Sequence, residues 1–233
     1  MIFLNQKMNL TKEELENFSK NTKNEDYTIF PTIPLLSYAS EIFPSVGSQD
    51  VSEFETGSYT GQTSAKTLKS INVKYCLIGH SEKRKHLNET DDKIVKKIEI
   101  CEKYNIIPIL VIGETYEEYQ QSNSFKVVEE KITNIFNNLH CSLENIIIAY
   151  EPIWSIGLKA PESKFIEEII IFIKKLLNNY YESNNKVIYG GGINEENITI
   201  LKKIEALDGF LIGGASLDIE KTNSILNTLK QDS

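Results

Sequence analysis

Short continuous apolar runs, each ending in glycine or a polar residue, alternate along this chain with longer stretches whose apolar residues recur every third or fourth position. The continuous runs suit strands buried on both faces, and the longer spacing suits helices that bury one face. The expected strands are Ile2–Gln6, Tyr27–Pro31, Phe43–Gln49, Val73–His80, Ile107–Gly113, Asn145–Glu151, Lys186–Gly190 and Gly209–Gly213. Between them, Thr11 and Glu14 have the spacing of a capping box ahead of Leu15 and Phe18. Ile94, Ile98 and Cys101 form a stripe after Thr90, and Ile198, Leu201 and Ile204 one after Asn194. Phe165, Ile166, Ile169, Ile170, Ile173, Leu177 and Tyr180 form the longest, after Pro161, which suits a first helical turn. Eight strands with helices between them, and no linker or low-complexity tract, predict one α/β domain over 1–233, a closed (β/α)8 barrel.

Composition narrows the function. With 40 % hydrophobic and 25 % charged residues and a mean hydropathy of -0.28, the chain reads as a soluble globular protein without a membrane partner. A formal charge of -8 argues against nucleic acid, so a small anionic substrate needs cations gathered locally. No basic segment precedes the first apolar residues, and cytoplasmic residence is the expectation. Cys76, Cys101 and Cys141 are widely spaced among apolar neighbours and read as core thiols, with no metal site expected.

Two apolar runs end in chemistry. Ile146-Ile147-Ile148-Ala149-Tyr150 stops at Glu151 and Pro152, which delivers a carboxylate to a strand end beside Trp154, a candidate general base. The run Val73 to Ile78 stops at Gly79-His80-Ser81-Glu82. Ser81-Glu82 can open a helix whose N-terminus faces the imidazole, and that dipole predicts a neutral His80. His86 and His140 read as surface residues. Gly190-Gly191-Gly192 and Gly213-Gly214, after the last two expected strands, suit phosphate held by backbone N–H groups.

These residues carry a resemblance to the triosephosphate isomerases, which covers the chain from end to end. Asn5-Gln6-Lys7-Met8-Asn9 is similar to the family's first strand end and Gly57-Ser58-Tyr59-Thr60-Gly61 to its third loop. Ile78-Gly79-His80-Ser81-Glu82 is similar to its histidine strand, and Tyr150-Glu151-Pro152-Ile153-Trp154-Ser155-Ile156-Gly157 to its base and lid. Tyr189-Gly190-Gly191 and Ile212-Gly213-Gly214-Ala215-Ser216-Leu217 complete the order. The resemblance implies a TIM barrel that interconverts dihydroxyacetone phosphate and glyceraldehyde 3-phosphate through an enediol, in glycolysis and gluconeogenesis, without a cofactor. It implies Glu151 as the base, His80 as the group that polarises the carbonyl and shuttles the proton, and Lys7 as the cation. Asn5, Lys7, Gly157, Gly192, Gly213 and Gly214 would hold the substrate, with Glu82 orienting the network and Arg84 holding it by ion pairing. A homodimer is implied as well, with Thr60 reaching towards the neighbouring subunit.

The chain also departs from that pattern. After Trp154 it reads Ser155-Ile156-Gly157-Leu158-Lys159-Ala160-Pro161, a lid shorter than the family's and without its second glycine. Gly192 stands where the family has a serine that latches the lid to that missing glycine, so both partners of one hydrogen bond are gone together. Catalysis is expected to survive with an altered balance of lid opening and closing. Gln6, Val111, Gln62 and Lys83 are further replacements, the last two expected to alter subunit contacts. The rival readings are another phosphate-handling barrel enzyme, which would want a Schiff-base lysine or metal ligands, and a non-catalytic phosphosugar-binding barrel.

Overall fold

In a computed structural model of the protein, which describes residues 1–22 and 26–231, the alternation becomes a barrel. Residues 23–25, 232 and 233 of the expected domain lie outside the described residues. The strands are β1 (Ile2–Asn5), β2 (Thr28–Phe30), β3 (Gly47–Ser48), β4 (Tyr75–Ile78), β5 (Ile107–Ile112), β6 (Ile147–Tyr150), β7 (Val187–Tyr189) and β8 (Gly209–Ile212). All pairings are parallel, in the order β2-β1-β8-β7-β6-β5-β4-β3, and a single Ile29–Val46 bridge brings β2 to β3 and closes the ring.

The helices are α1 (Lys12–Asn21), α2 (Leu36–Ile42), α3 (Ala65–Ser70), α4 (Ser81–Leu87), α5 (Asp91–Lys103), α6 (Tyr116–Gln120), α7 (Ser124–Phe136), α8 (Ser163–Tyr181), α9 (Ile198–Leu201) and α10 (Ile219–Lys230). Side chains alternate along each strand. Phe3, Phe30, Leu77, Ile109, Ile147, Ile188 and Leu211 fill the barrel, while Leu4, Ile29, Ile78, Leu110 and Ile148 point outwards into the helix layer. Fully burying an aliphatic side chain is worth about 1.5–3 kcal/mol, and here both strand faces are buried. That explains why the runs read as continuous.

Local signals fare unevenly. Thr11 accepts from the Glu14 amide and Glu14 from the Thr11 amide, so the capping box of α1 forms. Pro161 precedes the Glu162 N-cap of α8 instead of lying in its first turn, and Tyr180 is 71 % exposed, off the buried stripe. The third expected strand shrinks from Phe43–Gln49 to two residues because α2 runs to Ile42, Phe43 caps it, and Pro44 has no amide for a ladder. Most other strands stop one or two residues short of their expected carboxyl ends. The residues left over, among them Gln6, Gly79, His80, Gly113, Glu151, Gly190 and Gly213, gather at one mouth of the barrel. Cys76 and Cys101 are buried in the core, but Cys141 is only half-buried. Its burial, then the charges of Glu102 and Glu99, push its thiol up to about 11.

Candidate active site

Asn5, Lys7, His80 and Glu151 come together at the carboxyl ends of β1, β4 and β6, although they span most of the chain. Glu151 follows β6 directly; its amide donates to the Ile112 carbonyl at 2.7 Å, and Pro152 then turns the chain away. Its neighbour across the sheet must be glycine, since a Cβ on Gly113 would lie 1.9 Å from the Glu151 carbonyl oxygen. His80 is the N-cap of α4, and its Nδ1 accepts the Glu82 amide at 3.2 Å. That contact leaves the neutral ring's proton on Nε2, which sits 3.1 Å from Glu151 Oε2 but off the line of a hydrogen bond. Both side chains are 5 % exposed.

The helix end is not the only influence on His80. Burial pulls the imidazole down, but the Glu151 charge, the contact with that carboxylate and the charge of Glu82 outweigh burial and Lys7, so its pKa is raised. The helix N-terminus is where the sequence put it. Its dipole is opposed by a buried carboxylate against the other ring nitrogen, which arrives from a different strand.

Lys7 adopts a left-handed backbone (φ 52°). Its amide donates to Asn5 Oδ1 at 3.2 Å, and its Nζ donates to Glu82 Oε1 at 2.6 Å. Burial raises the Glu82 carboxyl, but the Lys7 hydrogen bond and the charges of His80 and Lys7 hold it below its usual value. Glu82 is 48 % exposed, so the pair adds little stability and acts by placing the ammonium. Arg84 does not join this pair. It donates through Nε to the Gly79 carbonyl at 3.1 Å, next to His80, and the ion pair expected of it is made with Asp91 at 2.7 Å.

Three groups that the sequence reading passed over hold the site from behind. The Gln49 amide donates at 2.8 Å to both the Lys7 and Phe30 carbonyls, fixing the strained turn after β1. Glu114, fully buried, accepts from the Tyr150 hydroxyl at 3.1 Å and from Trp154 Nε1 at 3.0 Å. Burial, then the charge and hydrogen bond of Glu114, lifts the Tyr150 phenol well above its ordinary value. Glu89 accepts the Gly79 amide at 2.9 Å and pairs with buried Lys97, which also binds Asp50. Burial lowers Lys97, but Asp50 and Glu89 more than offset it and raise its pKa. The only advance signal for Glu114 is that β5, like β4 and β6, ends close to a polar residue that follows its last apolar position. Of the replacements, Lys83 pairs with Asp50, and Gln62 accepts from Ser52, so both are engaged within the chain.

The expected glycines line the opposite wall. A cavity of about 370 Å³ is bordered by Asn5, Lys7 and Glu151 on one side and by Gly157, Gly192, Gly213 and Gly214 on the other. His80 is reached through Glu151. The Ser216 hydroxyl donates to the Gly213 carbonyl at 2.6 Å and lies 3.3 Å from that of Asn5, which ties the β8 loop to β1. After Trp154, residues 155–158 form a type II β-turn: Ile156 has φ -63° and ψ 118°, Gly157 has φ 71°, and the Leu158 amide donates to the Ser155 carbonyl at 3.0 Å. The third position of that turn requires glycine, a demand of backbone conformation, since nothing lies near where its Cβ would be. A second cavity, of about 310 Å³, is lined in part by Asp50, Lys83, Glu89 and Lys97, which pair with one another, and by Glu53, whose buried Oε2 has no hydrogen-bond partner.

An α/β barrel that sets a buried carboxylate against an imidazole at the carboxyl ends of its strands, beside a lysine and facing a wall of glycines, defines a barrel enzyme of the proton-transferring class. The family model described as triosephosphate isomerase matches residues 1–229. Triosephosphate isomerase of Mesomycoplasma hyorhinis is 36 % identical over 219 residues, covering 93 % of this chain and 88 % of the relative. That of Buchnera aphidicola subsp. Baizongia pistaciae is 38 % identical over 204 residues (85 % and 80 %), and that of Alkaliphilus metalliredigens 35 % over 239 (96 % of each). The chain belongs to the triosephosphate isomerase family.

Proposed function

We infer that this protein interconverts dihydroxyacetone phosphate and D-glyceraldehyde 3-phosphate, an isomerisation that serves glycolysis and gluconeogenesis. The observation that carries the reading is the 3.1 Å approach of Glu151 to His80 Nε2 at the edge of the cavity. Glu151 takes the carbon-bound proton from one carbon and returns it to the next. His80 donates from Nε2 to the substrate oxygens. Once substrate stands between the two, the push of the carboxylate on the ring weakens, while burial, the Glu82 amide and Lys7 still favour the neutral form. Lys7, with Asn5 beside it, balances the charge of the enediolate and the phosphate. The amides of Gly157, Gly192, Gly213 and Gly214 receive the phosphate. Glu82 orients Lys7 and the histidine.

A homodimer belongs to the same reading, with the exposed loop around Thr60 reaching the neighbouring subunit. So does cytoplasmic residence; among the described residues no helix is long and apolar enough to cross a membrane.

The test is isomerisation of glyceraldehyde 3-phosphate in a coupled assay without added metal or cofactor, comparing the native chain with Glu151→Gln. The expected loss in kcat is about 10²–10⁴-fold, the range for a general base. Equal activity in both proteins would remove Glu151 from the mechanism, and an inactive folded native chain would remove the isomerase reading.

A further inference from the structure

The lid of this protein lacks the serine latch, and its turn lies against the loop after β7. A Cβ built on Gly192 would stand 2.6 Å from the Leu158 carbonyl oxygen, 2.9 Å from the Ala160 amide nitrogen and 3.0 Å from the Ser155 carbonyl oxygen. All three are backbone atoms, so no rotamer change relieves the crowding. Gly192 also has φ 58°, within the left-handed region.

Which side must yield is settled by what holds each. The Gly192 carbonyl accepts Asn197 Nδ2 at 2.8 Å, and Asn197 Oδ1 accepts the Asn194 amide at 2.9 Å, which fixes the loop after β7. Ser155 is fully buried, with its hydroxyl and amide both donating to the Pro152 carbonyl. The outer lid has no such anchor: Gly157, Leu158 and Lys159 are exposed, Leu158 to 70 %.

We propose that Gly192 is a positioning residue for the shortened lid: the absence of a side chain there forms the seat on which the type II turn rests, and this seating presents the Gly157 amide to the phosphate. Backbone packing on a bare Cα replaces the latch, and lid length and residue 192 act as one unit. The proposal rests on reading residues 155–160 as the lid of the isomerase. Remote binding energy held by such a lid supports the reacting centre, so losing the seat weakens substrate capture before it affects the chemical groups.

The experiment compares the native chain, Gly192→Ser and Gly192→Ala, each with and without two residues inserted between Leu158 and Lys159. Two readouts are followed: steady-state kinetics with glyceraldehyde 3-phosphate, and the rate of tryptic cleavage after Lys159, identified by mass. Cleavage reports the seat whether or not the protein is an isomerase, so failure of the proposal and failure of the functional reading are separable. With native lid length, Gly192→Ser is expected to lower kcat/KM about tenfold or more, chiefly through KM, and to speed cleavage after Lys159 by a similar factor. The methyl of Gly192→Ala meets the same backbone atoms and gives the same direction. The insertion restores kcat/KM in Gly192→Ser, because a longer lid arches over the hydroxymethyl group. Unchanged kinetics and cleavage in both substitutions would overturn the proposal. So would a loss that the insertion does not relieve, since left-handed backbone strain at 192 alone is indifferent to lid length.

Discussion

The two walls of the cavity are built on opposite plans. On the β4–β6 wall the working groups are side chains, each held by another buried side chain or a nearby amide: His80 by the Glu82 amide, the Gly79 turn by Glu89, the stretch after Glu151 by Glu114 through Trp154. On the β7–β8 wall the groups proposed to hold phosphate are the backbone amides of Gly192, Gly213 and Gly214. Proton transfer tolerates placement errors of only about 0.5 Å, so that wall is locked by hydrogen bonds and ion pairs reaching across the fold. A phosphate is large, charged and approached from several sides, so its wall needs open backbone more than locks. The difference teaches that one site can use buried charge where geometry is strict and glycine where access is wanted.

The locked wall can be tested at the support beneath the Gly79 turn. Glu89→Ala leaves Lys97 with Asp50 alone and frees the Gly79 amide, and the expected loss of stability is about 3–5 kcal/mol, the cost of breaking a buried pair. Urea unfolding measures it, and a change within about 0.5 kcal/mol would mean that this wall is no more locked than the other.

A smaller effect sharpens the electrostatics. The acid limb of kcat/KM reports the free enzyme, in which Glu151 holds the His80 pKa above its usual value; that of kcat reports the complex, in which substrate separates the two. As pH falls through the raised pKa the ring gains a proton and activity drops, so the acid limb of kcat/KM is expected at higher pH than that of kcat. Coincident limbs would show that Glu151 does not govern the imidazole.

The smallest effect belongs to the open wall. A methyl placed on Gly214 would find nothing within 4 Å, and the residue has no positive φ, so Gly214→Ala is expected to change stability by no more than about 0.5 kcal/mol. A larger loss in the same urea measurement would show hidden packing on the phosphate side.

What the sequence makes legible follows the same division. Asn5, Lys7, His80 and Glu151 each stand where an apolar run stops, and a run that stops at the mouth of a barrel leaves its next residue in the site. The glycines are legible because few other roles put them in pairs at strand ends. The supports are not. Glu114 is defined by partners 36 and 40 positions away, and Gln49 by carbonyls 42 and 19 positions away, so only the closed barrel brings them into contact. The influences on His80 are half legible for the same reason: the helix end is local and readable, whereas the opposing carboxylate arrives from a strand 71 positions on. The third strand reads too long because β propensity in Phe43 and Val46 says nothing of the missing amide at Pro44.

The short third strand has a consequence for the ring as a whole. Where β4 meets β5 four residue pairs hold the sheet together, but β2 meets β3 through one bridge and the Ile29 amide on Ser45. Gln49 supplies by side chain what the ladder lacks there, gripping β2 at Phe30 with the same amide that grips Lys7. The barrel is therefore fastened by a clasp, and the Lys7 ammonium proposed to balance the substrate's charge hangs from that clasp: breathing of the ring at this point would slacken that cation as well.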